Sequence, residues 1–373
     1  MRRSADLRSE SAKGITRVLF AQVNPQRTSF RKTRHFAQKG VNSSDCAWIL
    51  HMERIVTLSG GIGGARFLRG LRAVAPASRI TVVANTGDDT TLFGLRICPD
   101  LDTVMYTLAG VINEANGWGR NDESFNSRAE LTAFGIGPNW FGLGDRDLAT
   151  HLIRTEMLNA GYSLTDVTAA LSKRWDLGIE LLPMCDERVE THIRISDTDG
   201  SRFIHFQEWW IRFGAKITAE EIVALNVEKS SPAKGVVEAI AQADLIILPP
   251  SNPVVSIGII LQVPGILTAL KNAKAPIVGV SPIIGGAPVR GMADKCLESI
   301  GVETSAAGVA SHYGARSEGG LLDGWLVDSS DSATKVSGIE IKALPLLMSD
   351  AATTQAIAHA AVEMARTICS DKK

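Results

Sequence analysis

Five short apolar runs rich in β-branched residues punctuate the chain, and each gives way to a polar or glycine-rich loop. Arg54-Ile-Val-Thr-Leu58 runs into Ser-Gly-Gly-Ile-Gly-Gly, and Ile80-Thr-Val-Val-Ala84 into Asn-Thr-Gly-Asp-Asp. Leu245-Ile-Ile-Leu248 is followed by Pro-Pro-Ser-Asn-Pro, and Pro276-Ile-Val-Gly-Val280 by Ser-Pro-Ile-Ile-Gly-Gly. Ile339-Glu-Ile-Lys-Ala-Leu leads into Pro-Leu-Leu-Met-Ser-Asp. Continuous apolar strands between helical patterns predict a Rossmann-like α/β fold, with helices on both faces of a parallel sheet. Ligands of such sheets bind beyond the carboxyl ends of the strands, which is where all five loops fall.

The second and third of these strands stand about 160 residues apart, too far for a connection without structure of its own. Helical periodicity covers Leu101 to Asn113, Arg146 to Gly161 and Leu164 to Trp175. Two strand-like stretches follow, Thr191 to Ile195 and Phe203 to Phe213. The chain therefore divides into a nucleotide-binding core, residues 52–110 and 236–373, and an α+β subdomain inserted at 111–235.

Residues 1–51 follow neither period. They carry Arg2, Arg3, Arg8, Lys13, Arg17, Arg27, Arg31, Lys32, Arg34 and Lys39 against Asp6, Glu10 and Asp45. A targeting leader and a nucleic-acid-binding arm both have this composition. The favoured expectation is an inert extension ahead of Met52, which directly precedes the first strand.

Net charge is −1, so the body offers no broad field for nucleic acid or a membrane surface. No apolar stretch approaches the roughly 18 residues of a membrane span. The 5 cysteines are not paired as C-x-x-C, which argues against a zinc cage and fits a reducing cytoplasm.

The loop Ser59-Gly60-Gly61-Ile62-Gly63-Gly64-Ala65-Arg66 links a strand to a helix, the context in which glycine backbone approaches phosphate. Arg66 stands where a dinucleotide fingerprint needs a small residue, and the second strand ends in Asn85 rather than a ribose-binding acid. The P-loop lysine is absent too, since Leu71 follows Gly70. The nucleotide is then a reactant rather than NAD or a hydrolysed triphosphate.

Asp88 and Asp89 follow the second strand, and Asp100 and Asp102 open the next helix. Carboxylates near phosphate oxygens suit Mg²⁺, although Asp also serves turns and helix caps. Asp147, His151 and Arg154 fall at i, i+4 and i+7, which describes either a ligand-facing stripe or a surface ion-pair stripe. Ser251, Asn252 and Ser281 are polar groups at strand ends, suited to phosphate or base recognition as well as to turns. No serine or cysteine is set beside a histidine in a nucleophile motif, so metal-assisted phosphoryl or nucleotidyl transfer fits better than a covalent route.

In order, Ser-Gly-Gly-Ile-Gly-Gly, Asn85-Thr-Gly-Asp-Asp, Pro99-Asp-Leu-Asp-Thr, Trp118-Gly, Leu143-Gly-Asp-Arg-Asp, His205-Phe-Gln-Glu-Trp-Trp, Pro250-Ser-Asn-Pro and Ser281-Pro-Ile-Ile-Gly resemble the 2-phospho-L-lactate transferase family of coenzyme F420 biosynthesis. The likeness runs from about Met52 to the end and is nearest to the actinobacterial phosphoenolpyruvate transferase branch. It implies that the deazaflavin Fo attacks lactyl- or enolpyruvyl-2-diphospho-5'-guanosine, giving F420-0 or its dehydro form and GMP. It also implies Mg²⁺ dependence and a homodimer.

Residue by residue, the resemblance makes Asp102 the contact to Fo and metal, with Asp89 as the second metal ligand. Gly60, Gly61, Gly63, Gly64, Ser251 and Asn252 would hold the guanosine diphosphate, and Asn85, Asp88 and Ser281 complete the expected substrate contacts. Where some archaeal members carry a lysine near Fo, this chain has Gly142. A family of gluconeogenesis factors that bind nucleotide sugars shares the glycine loop. The Pro-Asp-Leu-Asp and His-Phe-Gln-Glu-Trp-Trp pair separates the transferases from it.

Overall fold

The computed structural model of the chain describes residues 54–75 and 79–371, and the structural statements below concern those residues. The basic stretch 1–51 lies outside them. Strand β1 (Arg54–Ser59) leads into helix α1 (Gly61–Val74), and β2 (Arg79–Ala84) follows. A hairpin of β3 (Thr90–Leu92) and β4 (Leu95–Ile97) turns the chain into α2 (Pro99–Leu108). Helices α3 (Asn126–Ala133), α4 (Asp145–Asn159) and α5 (Leu164–Ser172) precede β5 (Glu180–Pro183). Strands β6 (Glu190–Asp197), β7 (Gly200–His205) and β8 (Glu221–Leu225) form a separate antiparallel sheet.

The remainder runs α6 (Val236–Gln242), β9 (Leu245–Leu248), α7 (Ile257–Gln262), α8 (Ile266–Asn272) and β10 (Ile277–Val280). The short pair β11 (Ile283–Ile284) and β12 (Ala287–Pro288) comes next, then α9 (Ala293–Ser299) and α10 (Ala306–Tyr313). Strands β13 (Gly324–Val327) and β14 (Glu340–Ala343) and the long helix α11 (Ala351–Asp371) close the fold.

Seven strands make the main sheet in the order β14-β13-β10-β9-β1-β2-β5. All neighbours are parallel. Alternate residues of each central strand feed opposite cores, which is why the runs read as continuously apolar. Ile55, Ile80 and Ile247 pack with α1, α2, α5 and α11, whereas Val56, Leu58, Ile246 and Leu248 face α6 to α10 and the antiparallel sheet. Each such fully buried side chain contributes about 1.5–3 kcal/mol. Helix α11 lies along α1, where a methyl group on Gly70 would stand 2.4 Å from the Thr354 carbonyl oxygen. Only glycine permits that crossing.

The α/β architecture is as expected, and three details differ. Glu180–Pro183, within the segment expected as an insertion, pairs with β2 and belongs to the main sheet. Strand β13 is not among the expected strands, because Gly-Trp-Leu-Val has only four residues and no run of β-branched side chains. The stretch 203–213 is not one strand. It leaves the sheet at His205 and coils into a wide π-helical turn, Glu208–Arg212, which sends Trp209 into the core and Trp210 to a cavity wall.

Candidate active site

Five strand-end loops meet at one cavity of roughly 770 Å³. Gly60, Gly61 and Gly63 come from the end of β1, Asp88 from β2, Pro250 to Asn252 from β9, Ser281 from β10 and Leu346 from β14. Asp100 and Asp102 join them from the first turn of α2, where Pro99 occupies the first helical position. The cavity is also lined by the aromatic side chains Trp118, Trp140, Phe141 and Trp210, and Arg66, Arg128 and Arg290 supply positive charge.

The glycine loop is built against its neighbours. A methyl group on Gly63 would come within 2.2 Å of the Pro250 carbonyl oxygen, and one on Gly64 within 2.3 Å of Ser59 Oγ. Gly61 adopts φ +63°, a left-handed conformation that favours glycine. The Gly61 amide donates to Asp100 Oδ1 at 2.7 Å, and the Gly60 amide donates to Ser251 Oγ at 3.1 Å. The N-terminus of α1 is thus met by a carboxylate of α2, so the two helix N-termini confront each other across the site.

The polar loop residues mostly serve their own loops. Ser251 Oγ also donates to the Gly60 carbonyl at 2.8 Å. Asn252 Oδ1 accepts from the Val254 and Val255 amides at 2.9 and 3.1 Å. Ser281 Oγ donates to the Ile283 carbonyl and accepts its amide, at 2.8 and 3.1 Å. Asn85 is fully buried and does not line the cavity. Its Nδ2 donates to Asp100 Oδ2 at 2.9 Å and to Asp88 Oδ1 at 3.5 Å. Gln207 Nε2 holds the other Asp88 oxygen at 2.9 Å. His205 faces the Asp89 carbonyl with Nε2 at 3.1 Å, while its Nδ1 accepts the Gln207 amide. The His-Phe-Gln motif therefore ties the antiparallel sheet to the Asp88–Asp89 pair.

Burial dominates the carboxylates. It pushes Asp88 well above the usual carboxyl range, and the charges of Asp100 and Asp89 push it further. Asp100 is raised to about 6 by burial, against the hydrogen bonds from Asn85 and Gly61. Asp89 is raised to about 6 by burial, against the pull of Arg96. Asp102 is raised by burial, against Arg154 and His151. A group of ionisable oxygens held this dry has a standing need for positive charge.

Asp89 stands behind the cavity wall. One oxygen accepts from Arg96 and from the Cys98 thiol, each at 2.9 Å, and Oδ1 has no hydrogen-bond partner. Asp102 lines the cavity. Arg154 grips its Oδ1, and its Oδ2 is likewise buried without a hydrogen bond. These bare buried oxygens fit a divalent cation bound by hard oxygen ligands.

The face of Asp147, His151 and Arg154 is buried rather than a surface stripe, and it packs against Asp102 and Tyr106 of α2. Asp102, Asp147 and His151 present possible ligand atoms within 4.8 Å of one another. Arg154 already brings a cation to that group. Tyr106, whose hydroxyl donates to Asp147 at 2.6 Å, was missed from the sequence, although it stands one turn after Asp102 on the same helix. Gln207 stands out in the sequence only as part of the His-Phe-Gln-Glu-Trp-Trp motif. A methyl group on Gly142 would lie 3.2 Å from an Arg128 guanidinium nitrogen, so arginine fills the space beside that glycine.

A parallel sheet with a glycine loop, a buried carboxylate cluster and aromatic side chains around a cavity at its carboxyl ends defines a Rossmann-like α/β protein with a small-molecule site. Residues 55–362 match the family model described as 2-phospho-L-lactate transferase CofD, and the chain belongs to that family. Curated relatives carry the name phosphoenolpyruvate transferase. The one from Thermobifida fusca is 60% identical over 84% of this chain and 98% of its own. The Streptomyces coelicolor protein is 57% identical over 84% and 99%, and a Mycobacterium sp. (strain JLS) protein 52% over 84% and 98%. Among solved structures, a upf0052 family member from Bacillus halodurans shares the fold, with TM-score 0.55 and 17% identity over 83% of this chain and 99% of its own. No described helix is long and apolar enough to cross a membrane.

Proposed function

We propose that this chain transfers the phosphoenolpyruvyl or 2-phospho-L-lactyl group of a guanosine diphospho-acid to the deazaflavin Fo, giving dehydro-F420-0 or F420-0 and GMP. Membership of the transferase family supports the reaction class. The observation that carries the reading to this site is the pair of bare, buried carboxylate oxygens, Asp102 Oδ2 and Asp89 Oδ1, beside an aromatic-walled cavity at the strand ends.

In this reading the donor diphosphate lies along the glycine loop. The backbone of the Ser251–Asn252 loop contacts it, since those side chains are engaged locally, while the Gly61 amide is held by Asp100. The flat ring of Fo lies between Trp118 and Trp210, where aromatic faces bind planar rings. Asp102 Oδ2 accepts a hydrogen bond from the ribityl hydroxyl and orients its oxygen toward the phosphorus.

Asp102 and Asp89 would hold Mg²⁺, whose charge would offset that of the diphosphate and of the departing GMP. Asp88 and Asp100, clipped by Asn85, keep the metal region electronegative while their hydrogen bonds prevent collapse. The enzyme works in the cytoplasm as a homodimer.

The test is direct. Purified protein is incubated with Fo, Mg²⁺ and either enolpyruvyl- or lactyl-diphospho-guanosine, and GMP is followed by chromatography. Fo-dependent GMP release with one donor supports the proposal. Release that ignores Fo, or no release with either donor, overturns it.

A further inference from the structure

Beneath Asp102 lies a set of buried side chains that the transfer reaction as described does not use. Arg154 is 1% exposed and does not line the cavity. It nevertheless touches two residues that do. One guanidinium nitrogen, Nη2, binds Asp102 Oδ1, and the other, Nη1, stands 3.0 Å from His151 Nδ1. Nη1 also reaches the Arg96 carbonyl at 3.4 Å.

Arginine has only donors, so His151 Nδ1 accepts and the ring proton sits on Nε2. Nε2 lies 3.3 Å from Asp147 Oδ2, a close contact to a carboxylate in which Nε2 makes no well-aligned hydrogen bond. The other Asp147 oxygen receives the Tyr106 hydroxyl, which is also 2.8 Å from Thr150 Oγ1. The Asp147 carboxyl thus stands between the Tyr106 hydroxyl and the His151 ring.

These contacts have a direction. Tyr106 and Asp147 fix His151, His151 fixes one arm of Arg154, and the other arm fixes one oxygen of Asp102. The oxygen that Arg154 leaves, Asp102 Oδ2, is buried at the cavity-lining residue with no hydrogen bond of its own, and His151 Nδ1 stands 3.8 Å from it. A carboxylate with both oxygens free would rotate and would be caught by the nearest donor. Gripped on one side, it presents one lone-pair direction to whatever lies in the cavity.

We propose that Arg154 is the positioning residue of the transfer reaction, and that His151, set by Asp147, keeps Arg154 aimed at Asp102. The inference rests on the reading of Asp102 given above. A planar fork is needed, because one nitrogen must serve the carboxylate while the other serves the imidazole. A lysine can hold one of the two but not both.

The experiment compares Arg154→Lys, Arg154→Ala and Asp102→Asn, each checked for folding by thermal melting. Turnover is measured with separate KM values for Fo and the guanylylated donor, and Mn²⁺ binding is titrated by electron paramagnetic resonance without substrates. Arg154→Lys keeps the buried charge and is expected to fold. Its kcat should fall about tenfold or more, the scale of one misdirected charge-assisted bond, with both KM values within about twofold. Its Mn²⁺ affinity should weaken. Added guanidinium should restore turnover to Arg154→Ala but not to Asp102→Asn.

Wild-type kcat and Mn²⁺ affinity in Arg154→Lys would overturn the proposal. So would an Arg154→Ala protein that folds yet gains nothing from guanidinium. An Asp102→Asn protein with near-normal turnover would instead overturn the reading of Asp102, which keeps the two failures apart.

Discussion

Asn85 was expected to touch substrate, and the structure makes it an internal clip, which allows a worked prediction. Its amide nitrogen donates to Asp100 Oδ2 at 2.9 Å, with Asp88 Oδ1 at 3.5 Å and the Val255 carbonyl at 3.3 Å as further acceptors. Its carbonyl oxygen accepts the Gly87 amide at 2.9 Å. Asn85→Ala removes one strong charge-assisted bond, worth about 1.5–3 kcal/mol, and one neutral bond worth about 1 kcal/mol. It leaves Asp100 and Asp88 facing each other with no shared donor. The expected loss is about 3–4 kcal/mol, which for a chain of this size lowers Tm by roughly 5–15 °C.

The loss should shrink when Mg²⁺ is added, because a cation answers the same need that Asn85 answers. Differential scanning calorimetry with and without Mg²⁺ measures both effects. A Tm within about 2 °C of wild type would refute the claim that Asn85 holds the carboxylates apart. A loss equal in both buffers would refute the link to the cation.

Gly63→Ala should cost about 1–3 kcal/mol, since the new methyl group meets the Pro250 carbonyl oxygen at 2.2 Å, and urea denaturation checks it. Trp118→Ala should raise KM for Fo by about three- to tenfold with little change in the donor KM, as read from initial rates. The protein without metal should become more stable as pH falls from 7 through 6 toward about 5. Asp89 and Asp100, each with a folded pKa of about 6 against an ordinary carboxyl value of 3.8, hold their protons more tightly when folded. Their contribution is full below the unfolded value and is lost as pH rises through 6. Mg²⁺ should flatten that slope, and melting curves across the pH series show whether it does.

The sheet was legible because a parallel strand buried on both faces leaves a continuous apolar run, as at Leu245 to Leu248. Strand β5 carried no such mark. It lies at the edge of the sheet, begins with exposed Glu180 and ends at Pro183, so its four residues look like loop. The helix face of Asp147, His151 and Arg154 followed from spacing, but periodicity does not tell water from protein. Its burial depends on Asp102 and Tyr106, which arrive from a distant helix. Likewise Ser251, Asn252 and Ser281 sit at the strand ends as expected, while the local capture of their side chains is a matter of loop geometry that composition does not encode. Gln207 became visible only when the apolar run after His205 turned into a helix.

The central claim is that transfer occurs where Asp102 meets the cavity, and Asp102→Asn tests it most directly. The change is isosteric and leaves the Arg154 contact a neutral acceptor in place of the carboxylate. Fo-dependent GMP release is measured beside a melting curve for the same preparation. The account predicts turnover reduced by about a hundredfold or more in a protein that still melts cooperatively. Turnover within about twofold of wild type would place the chemistry elsewhere.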